Sequence, residues 1–367
     1  MKFLIPTEPD DTHALLVKTA LEGMGHHVRL LFTADQPTKQ KNSIYIDNSN
    51  YHWKCSDKKQ SIIDNDYDVV WWRRPRKPFV DKTLTHPDDY KFVVRENSLF
   101  YDSLTYSLAP DAWWVNDKEA ANRANSKLIQ LKTAVDCGMN IPVTIFSNDP
   151  IDIRTFALNH EKEGIIYKPL CSSFWFEDDK VKISYTSHIN FMGLPTNSVL
   201  QLAPGIYQKE IKKKYELRVN CFGNYIVAAK LNSQVHENWK TDWRSIPHGM
   251  MDVEPYELPE ELKGKIRLFM QDLGLVFGCL DFIVSAEGEY IFLEVNEQGQ
   301  FLWLEECNPE LKMLDIFVNF IITKSIDFSW NPAISNHSVS KYQEEIVPAF
   351  TENMRNHINL NTADYFK

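Results

Sequence analysis

The chain has 367 residues, a formal charge of −10, 43% hydrophobic and 25% charged residues, a length that suggests two or three structural units. The acidic balance argues against a general nucleic-acid binder, which needs clustered positive charge to displace counterions from phosphates. No run approaches the roughly 20 apolar residues that span a bilayer. Six cysteines without a CxxC pair signal neither a zinc site nor a disulfide framework. The N-terminal apolar run meets Glu8, Asp10 and Asp11 at once, too soon for a secretory signal, so the expectation is a cytoplasmic protein.

In chain order, an apolar strand over 3–6, a helical pattern over 12–24 ending near Gly25, and a strand over 28–32 form a βαβ start, which implies a parallel sheet. Residues 66–72 read as another buried strand, and this unit is expected to close near 110. A second unit, 111–205, opens with Trp113-Trp114-Val115-Asn116. It continues with a long helix over 118–137 stopped by Gly138, and strands over 141–145 and 164–170. Phe174-Trp175-Phe176-Glu177 and Val181-Lys182-Ile183-Ser184-Tyr185 flank Asp178-Asp179-Lys180 as a hairpin. A third unit, 206–330, carries strands over 207–211, 217–222, 225–231, 279–284 and 290–296, with helices over 259–273 and 309–322. Beyond 330 the chain turns polar and Asn-rich, as a peripheral helix and tail would.

The most informative stretch is Gly278-Cys279-Leu280-Asp281-Phe282-Ile283-Val284, then Ser285-Ala286-Glu287-Gly288, then Glu289-Tyr290-Ile291-Phe292-Leu293-Glu294-Val295-Asn296. A two-residue turn at Glu287-Gly288 places Asp281 opposite Glu294. Like charges so paired, about 5 Å apart at Cβ, are destabilising unless a cation lies between them. Period-two alternation adds Asn296 to that face and sends Ile291, Leu293 and Val295 into the core. An Asp, a Glu and an Asn amide oxygen are hard donors suited to Mg²⁺. The other reading is an exposed hairpin with an acidic outer face, and a bulge would shift the pairing by one residue.

Leu293-Glu294-Val295-Asn296, preceded by a strand bearing Asp281, resembles the metal-binding end of ATP-grasp ligases. The resemblance implies an α/β ATP-grasp fold with an N-terminal parallel-sheet domain, and Asp281, Glu294 and Asn296 holding magnesium against the phosphates of ATP. Asn125-Ser126-Lys127 and Tyr167-Lys168-Pro169 resemble the segments that supply two phosphate lysines. The stretch Tyr207-Gln208-Lys209-Glu210-Ile211 is similar to the linker whose backbone reads adenine. Glu216 falls at the ribose carboxylate and Arg218 at the phosphate or acyl-phosphate arginine. Where many relatives carry a glycine-rich loop, the chain reads Cys171-Ser172-Ser173.

Four further pieces look like the maturases of graspetides, ribosomal peptides cross-linked between side chains. They are Val70-Trp71-Trp72-Arg73-Arg74-Pro75, Glu216-Leu217-Arg218-Val219, Thr241-Asp242-Trp243-Arg244, and Gln298-Gly299-Gln300-Phe301-Leu302-Trp303 with Leu304-Glu305. The resemblance implies that an Asp or Glu side chain of a precursor peptide is phosphorylated and then attacked by a Ser or Thr hydroxyl or a Lys amine. Arg244, beside Asp242, is expected to hold the acyl phosphate or the acidic acceptor. Arg73 and Arg74 either contact the acidic core peptide or pair with carboxylates. The hairpin bearing Trp175 either docks the precursor's leader helix or packs on its own domain. A homodimer is the default assembly. The competing readings are a ligase adding free amino acids to a carboxylate, as glutathione-synthetase-like enzymes do, and a non-catalytic nucleotide binder on the same fold.

Overall fold

The computed structural model describes residues 1–57, 65–170, 174–177, 180–183, 186–233 and 251–361, with the backbone alone for 174–177 and 180–183. The chain divides into two compact units. The first comprises Met1–Lys118, Phe222–Tyr225 and Gln298–Lys367, and the second comprises Glu119–Cys221 and Ile226–Glu297.

In the first unit the expected βαβ start is present as β1 (Lys2–Thr7), the helix Thr12–Gly23 and β2 (His27–Phe32), with β1 and β2 parallel. The helix begins where it does because Asp11 caps it, accepting from the amides of His13 and Ala14 at 3.1 and 3.3 Å. Next comes a hairpin that the sequence reading did not anticipate, β3 (Lys41–Ile46) paired with β4 (Tyr51–Ser56). β5 (Val69–Trp71) and β6 (Trp113–Val115) complete a parallel sheet in the order β2-β1-β5-β6. Trp113-Trp114-Val115 was expected to open the second unit. It is instead the fourth strand of the first, because its apolar residues pair with the fully buried Val69, Val70 and Trp71.

The residues beyond 297 return to this unit. Phe301, Phe317 and Phe320 are fully buried, and Trp71 lies 4.6 Å from Phe317, centroid to centroid. The stretch past 330 buries Val339, Tyr342, Ile346 and Ile358. Two buried acids tie it down: Asp315 accepts from Trp330 Nε1 and from the amides of Asn336 and His337, and Glu305 from the amides of Leu314 and Val339.

The second unit starts with a helix pair. The single helix expected over 118–137 breaks at Asn125-Ser126 into Lys118–Ala124 and Lys127–Asp136, with Ser126 as the new N-cap. An antiparallel sheet follows, built from β7 (Thr144–Ser147), β8 (Ile165–Lys168), β11 (Ser187–Ile189) and β12 (Gly205–Lys209), ordered β11-β8-β12-β7. β9 (Phe174–Glu177) and β10 (Lys180–Ile183) form the expected hairpin, with Trp175 opposite Lys182.

A five-stranded sheet, β15-β14-β13-β16-β17, completes the unit. It comprises β13 (Lys213–Phe222), β14 (Tyr225–Leu231), β15 (Val253–Tyr256), β16 (Phe277–Ser285) and β17 (Tyr290–Asn296). The helix Glu260–Leu273 covers it through Leu262, Ile266, Phe269, Met270 and Leu273, the spacing of one helical face. Gly274 ends that helix at φ 72°, which costs glycine nothing and lets the Leu275 amide reach the Met270 carbonyl at 2.9 Å.

Candidate active site

The carboxylate hairpin pairs as expected at its functional end, by another route. Near the turn the register is Val284↔Tyr290, Ile283↔Ile291 and Phe282↔Phe292. A bulge then restores Asp281↔Glu294, followed by Leu280↔Val295 and Cys279↔Asn296. The turn is a three-residue loop, Ala286-Glu287-Gly288, in place of the expected two-residue turn. Ser285 accepts from the Gly288 amide, and Gly288 takes φ 88°. The bulge corrects the predicted core face as well: Ile291 and Val295 are buried as expected, but Phe292 enters the core and Leu293 is only half-buried. Burying a phenylalanine is worth about 1.5–3 kcal/mol, more than the roughly 1 kcal/mol of a ladder hydrogen bond lost at a bulge.

The two facing carboxylates are each matched by a cation. Arg218 on β13, 5% exposed, donates from Nη1 to Asp281 Oδ1 at 2.9 Å. Lys127, in the first turn of its helix, donates from Nζ to Glu294 Oε2. Asp281 keeps 14% and Glu294 30% of its side-chain surface, so both remain open to solvent. Asn296 is exposed at the end of β17. The neighbouring Glu297 was not singled out from the sequence, where it is one acid among 50 Asp and Glu. It is 7% exposed, and burial pushes its carboxyl up to about 7 against the pull of Lys127.

The other predicted positions fall around this centre in varied roles. Lys168 ends β8 opposite Ile206 on β12. Gln208, 2% exposed, donates to Thr144 Oγ1 at 3.0 Å, while its Oε1 is buried without a hydrogen-bond partner. The amides of Lys209 and Glu210 donate to the carbonyls of Val143 and Gly164, both at 2.9 Å. Their side chains meet Glu163 and His188. Ile211 leads from β12 into β13 and is half-buried. Glu216 is a buried acid that accepts from Lys213 Nζ at 2.6 Å and Ser233 Oγ at 2.8 Å, and burial raises its pKa.

In the first unit Arg73 is 1% exposed. It bonds Asp11 at 3.0 Å and the carbonyls of Gln298 and Gly299, so of its two expected roles it takes the pairing one. Arg74 keeps 25% exposure beside Glu8 at 3.5 Å. Asp242 and Arg244 lie outside the described residues, as do Cys171, Ser172, Ser173 and the side chain of Trp175.

No family model matches the chain, and no curated protein does. Solved structures do. A RiPP-associated ATP-grasp ligase of Chryseobacterium gregarium, in complex with ADP and a leader and core peptide, is 27% identical over 88% of this chain and 97% of its own, with a TM-score of 0.78. The chain has the ATP-grasp fold and is an ATP-dependent ligase. Macrocyclase MdnC of Microcystis aeruginosa, bound with precursor peptide MdnA, is 27% identical over 89% of this ligase and 100% of its own length, with a TM-score of 0.77. Macrocyclase MdnB of the same organism is 25% identical over 88% and 99%, with a TM-score of 0.73. These neighbours uphold the resemblance to graspetide maturases that the sequence motifs carry.

The fold family implies magnesium, and the residues of this ligase fit it. Asp281 and Glu294 are paired across two strands and partly exposed, and a divalent ion between them would offset the like charges that Arg218 and Lys127 offset here. Among the described residues no group of three or more His, Cys, Asp and Glu could hold a metal ion. Two carboxylates and an amide form an incomplete set, which suits a cation that keeps waters and binds through nucleotide phosphates. Among the described residues no helix is long and apolar enough to cross a membrane.

Proposed function

We propose that this ligase is an ATP- and magnesium-dependent peptide macrocyclase acting on a ribosomally made precursor peptide with a leader and a core bearing acidic and hydroxyl side chains. The single observation that carries the reading is Asp281 facing Glu294 between Arg218 and Lys127. The peptide substrate is supported by the peptides held in the Chryseobacterium ligase and in MdnC.

In the proposed reaction, a carboxylate oxygen of a precursor Asp or Glu attacks the γ-phosphorus of ATP, and ADP leaves. The acyl phosphate is attacked at its carbonyl carbon by a Ser or Thr hydroxyl, giving an ester, or by a Lys amine, giving an amide. Phosphate departs, the nucleophile gives up its proton, and the peptide has lost one water. Such chemistry needs no protein nucleophile, because ATP supplies activation and the enzyme supplies alignment and charge neutralisation.

Magnesium bound at Asp281, Glu294 and Asn296 would neutralise charge on the transferring phosphate. Lys127 and Lys168 reach the phosphates, and Arg218 supports both Asp281 and the acyl phosphate. The Glu210–Ile211 backbone and the orphaned Gln208 Oε1 line the adenine edge, and Glu216 approaches the ribose. Arg244 holds the acceptor carboxylate, a task suited to a guanidinium fork, while Arg74 and the hairpin bearing Trp175 meet the peptide.

The test is to incubate the ligase, ATP and Mg²⁺ with the precursor encoded by a neighbouring short reading frame. The expected result is the loss of one water mass per ring with matching ADP release, dependent on the leader. An unchanged peptide mass with intact ATP overturns the proposal. Ligation of free amino acids without a leader would instead support the glutathione-synthetase-like alternative.

A further inference from the structure

β17 is an edge strand, so one side of its backbone faces no further strand of the sheet. At Val295, between Glu294 and Asn296, that edge is filled by a side chain. Gln130 Oε1 accepts from the Val295 amide at 2.9 Å, and Gln130 Nε2 donates to the Val295 carbonyl at 2.9 Å. The same Nε2 donates to the Ala124 carbonyl at 2.6 Å, the last residue of the helix Lys118–Ala124. Gln130 is 3% exposed and Val295 is 3% exposed. One planar amide thus stands in for a missing strand and joins two helices to the metal-binding end of the hairpin.

The position has consequences for both neighbours of Val295. With the Val295 side chain in the core, Glu294 and Asn296 leave the strand on the opposite face. The bulge between Asp281 and Phe282 makes register at this end a local matter, and a slip of one residue would turn Glu294 toward the core. The two bonds to Val295 oppose that slip. Gln130 also lies one turn after Lys127 on one helix, so the contact that fixes the strand also fixes the distance from which Lys127 reaches Glu294.

We infer that Gln130 is a positioning residue for nucleotide-borne magnesium: it locks the register and orientation of Glu294 and Asn296 and sets their spacing from Lys127. The inference rests on the reading of Asp281, Glu294 and Asn296 as the metal-binding set. Gln130 touches neither metal nor nucleotide, so its effect should appear in metal dependence. Gln130→Met keeps the volume and removes all three hydrogen bonds; Gln130→Glu keeps an acceptor for the Val295 amide and removes the donors.

The experiment measures binding of a fluorescent ATP analogue to the full-length ligase, in EDTA and across a Mg²⁺ titration, with a thermal melt of each variant. Outer partners of metal ligands typically set affinity by 10–100-fold, so the Mg²⁺ midpoint should rise by about 10-fold or more in both variants, with metal-free nucleotide affinity unchanged. A Mg²⁺ midpoint equal to that of the parent protein, in whichever variant is folded, overturns the inference, even if its melting temperature falls. Glu294→Gln, run alongside, separates the two claims. If it abolishes the Mg²⁺ effect and the Gln130 variants do not, only the positioning role fails; if Glu294→Gln leaves the Mg²⁺ effect intact, the metal-binding reading fails.

Discussion

In the first unit Asp11 and Arg73 are 2% and 1% exposed, whereas in the second Asp281 and Glu294 keep 14% and 30% of their surface. Both clusters oppose acids and bases. Asp11 is spent on Arg73, on Thr7 and on two helix amides, and it is buried. The hairpin carboxylates face one another with one cation each, a pairing that a divalent ion could replace. Charge buried with complete local pairing maintains a fold, while like charges left facing at an accessible strand end mark a site.

Four outcomes would sharpen or break that contrast. The largest concerns Asp11→Ala, which leaves Arg73 buried without its acid. Removing one partner of a buried pair costs about 3–5 kcal/mol, and denaturant unfolding of the first unit should show it. Next, Glu294→Gln should cut peptide turnover by about 10²–10³-fold, as for other groups aimed at transferring charge, and stability should change little because the Lys127 pair is partly exposed.

A third outcome is a pH effect confined to the buried pair. Burial alone would raise the Asp11 carboxyl, but Arg73, His13, Arg74 and Thr7 outweigh it and hold it down to about 2. Its folded pKa therefore lies below the unfolded value of about 3.9. The stabilisation, about 2–3 kcal/mol, is present above pH 4 and lost as pH falls toward 2. Stability curves of the parent and Asp11→Asn should converge over that window, and parallel curves would count against the pairing. The smallest effect concerns Gly288→Ala at the hairpin turn. Its φ of 88° makes any Cβ strained by about 1–2 kcal/mol, although no atom lies within 4 Å of one. The melting temperature should fall with no change in the Mg²⁺ midpoint.

The site was legible in the sequence where chemistry is local. Asp281 and Glu294 do face each other, because hairpin pairing is a short-range consequence of residue type, whereas Lys127, 167 residues from Glu294, was placed there only by the family resemblance. The path to that pairing was not legible. The three-residue turn and the bulge at Leu293 are offsetting departures from the expected two-residue turn, and only core demand for Phe292 shows where the extra residue goes. The hairpin of β3 and β4 escaped notice because its tip residues Tyr45 and Ile46 are 66% and 73% exposed, against the usual inward pattern. Arg73 read as equally suited to peptide or protein, since its partner Asp11 lies 62 residues away. Asp315 and Glu305, which pin the last 30 or so residues, look in sequence like any surface acid; their role comes from backbone amides that only the fold brings to them.

The most direct test of the account is a crystal structure of the ligase with a non-hydrolysable ATP analogue and Mg²⁺. The account predicts metal about 2.0–2.2 Å from oxygens of Asp281 and Glu294, with Lys127 released from Glu294 onto a phosphate. A bound nucleotide with the Lys127–Glu294 contact intact and no metal at Asp281 would contradict it.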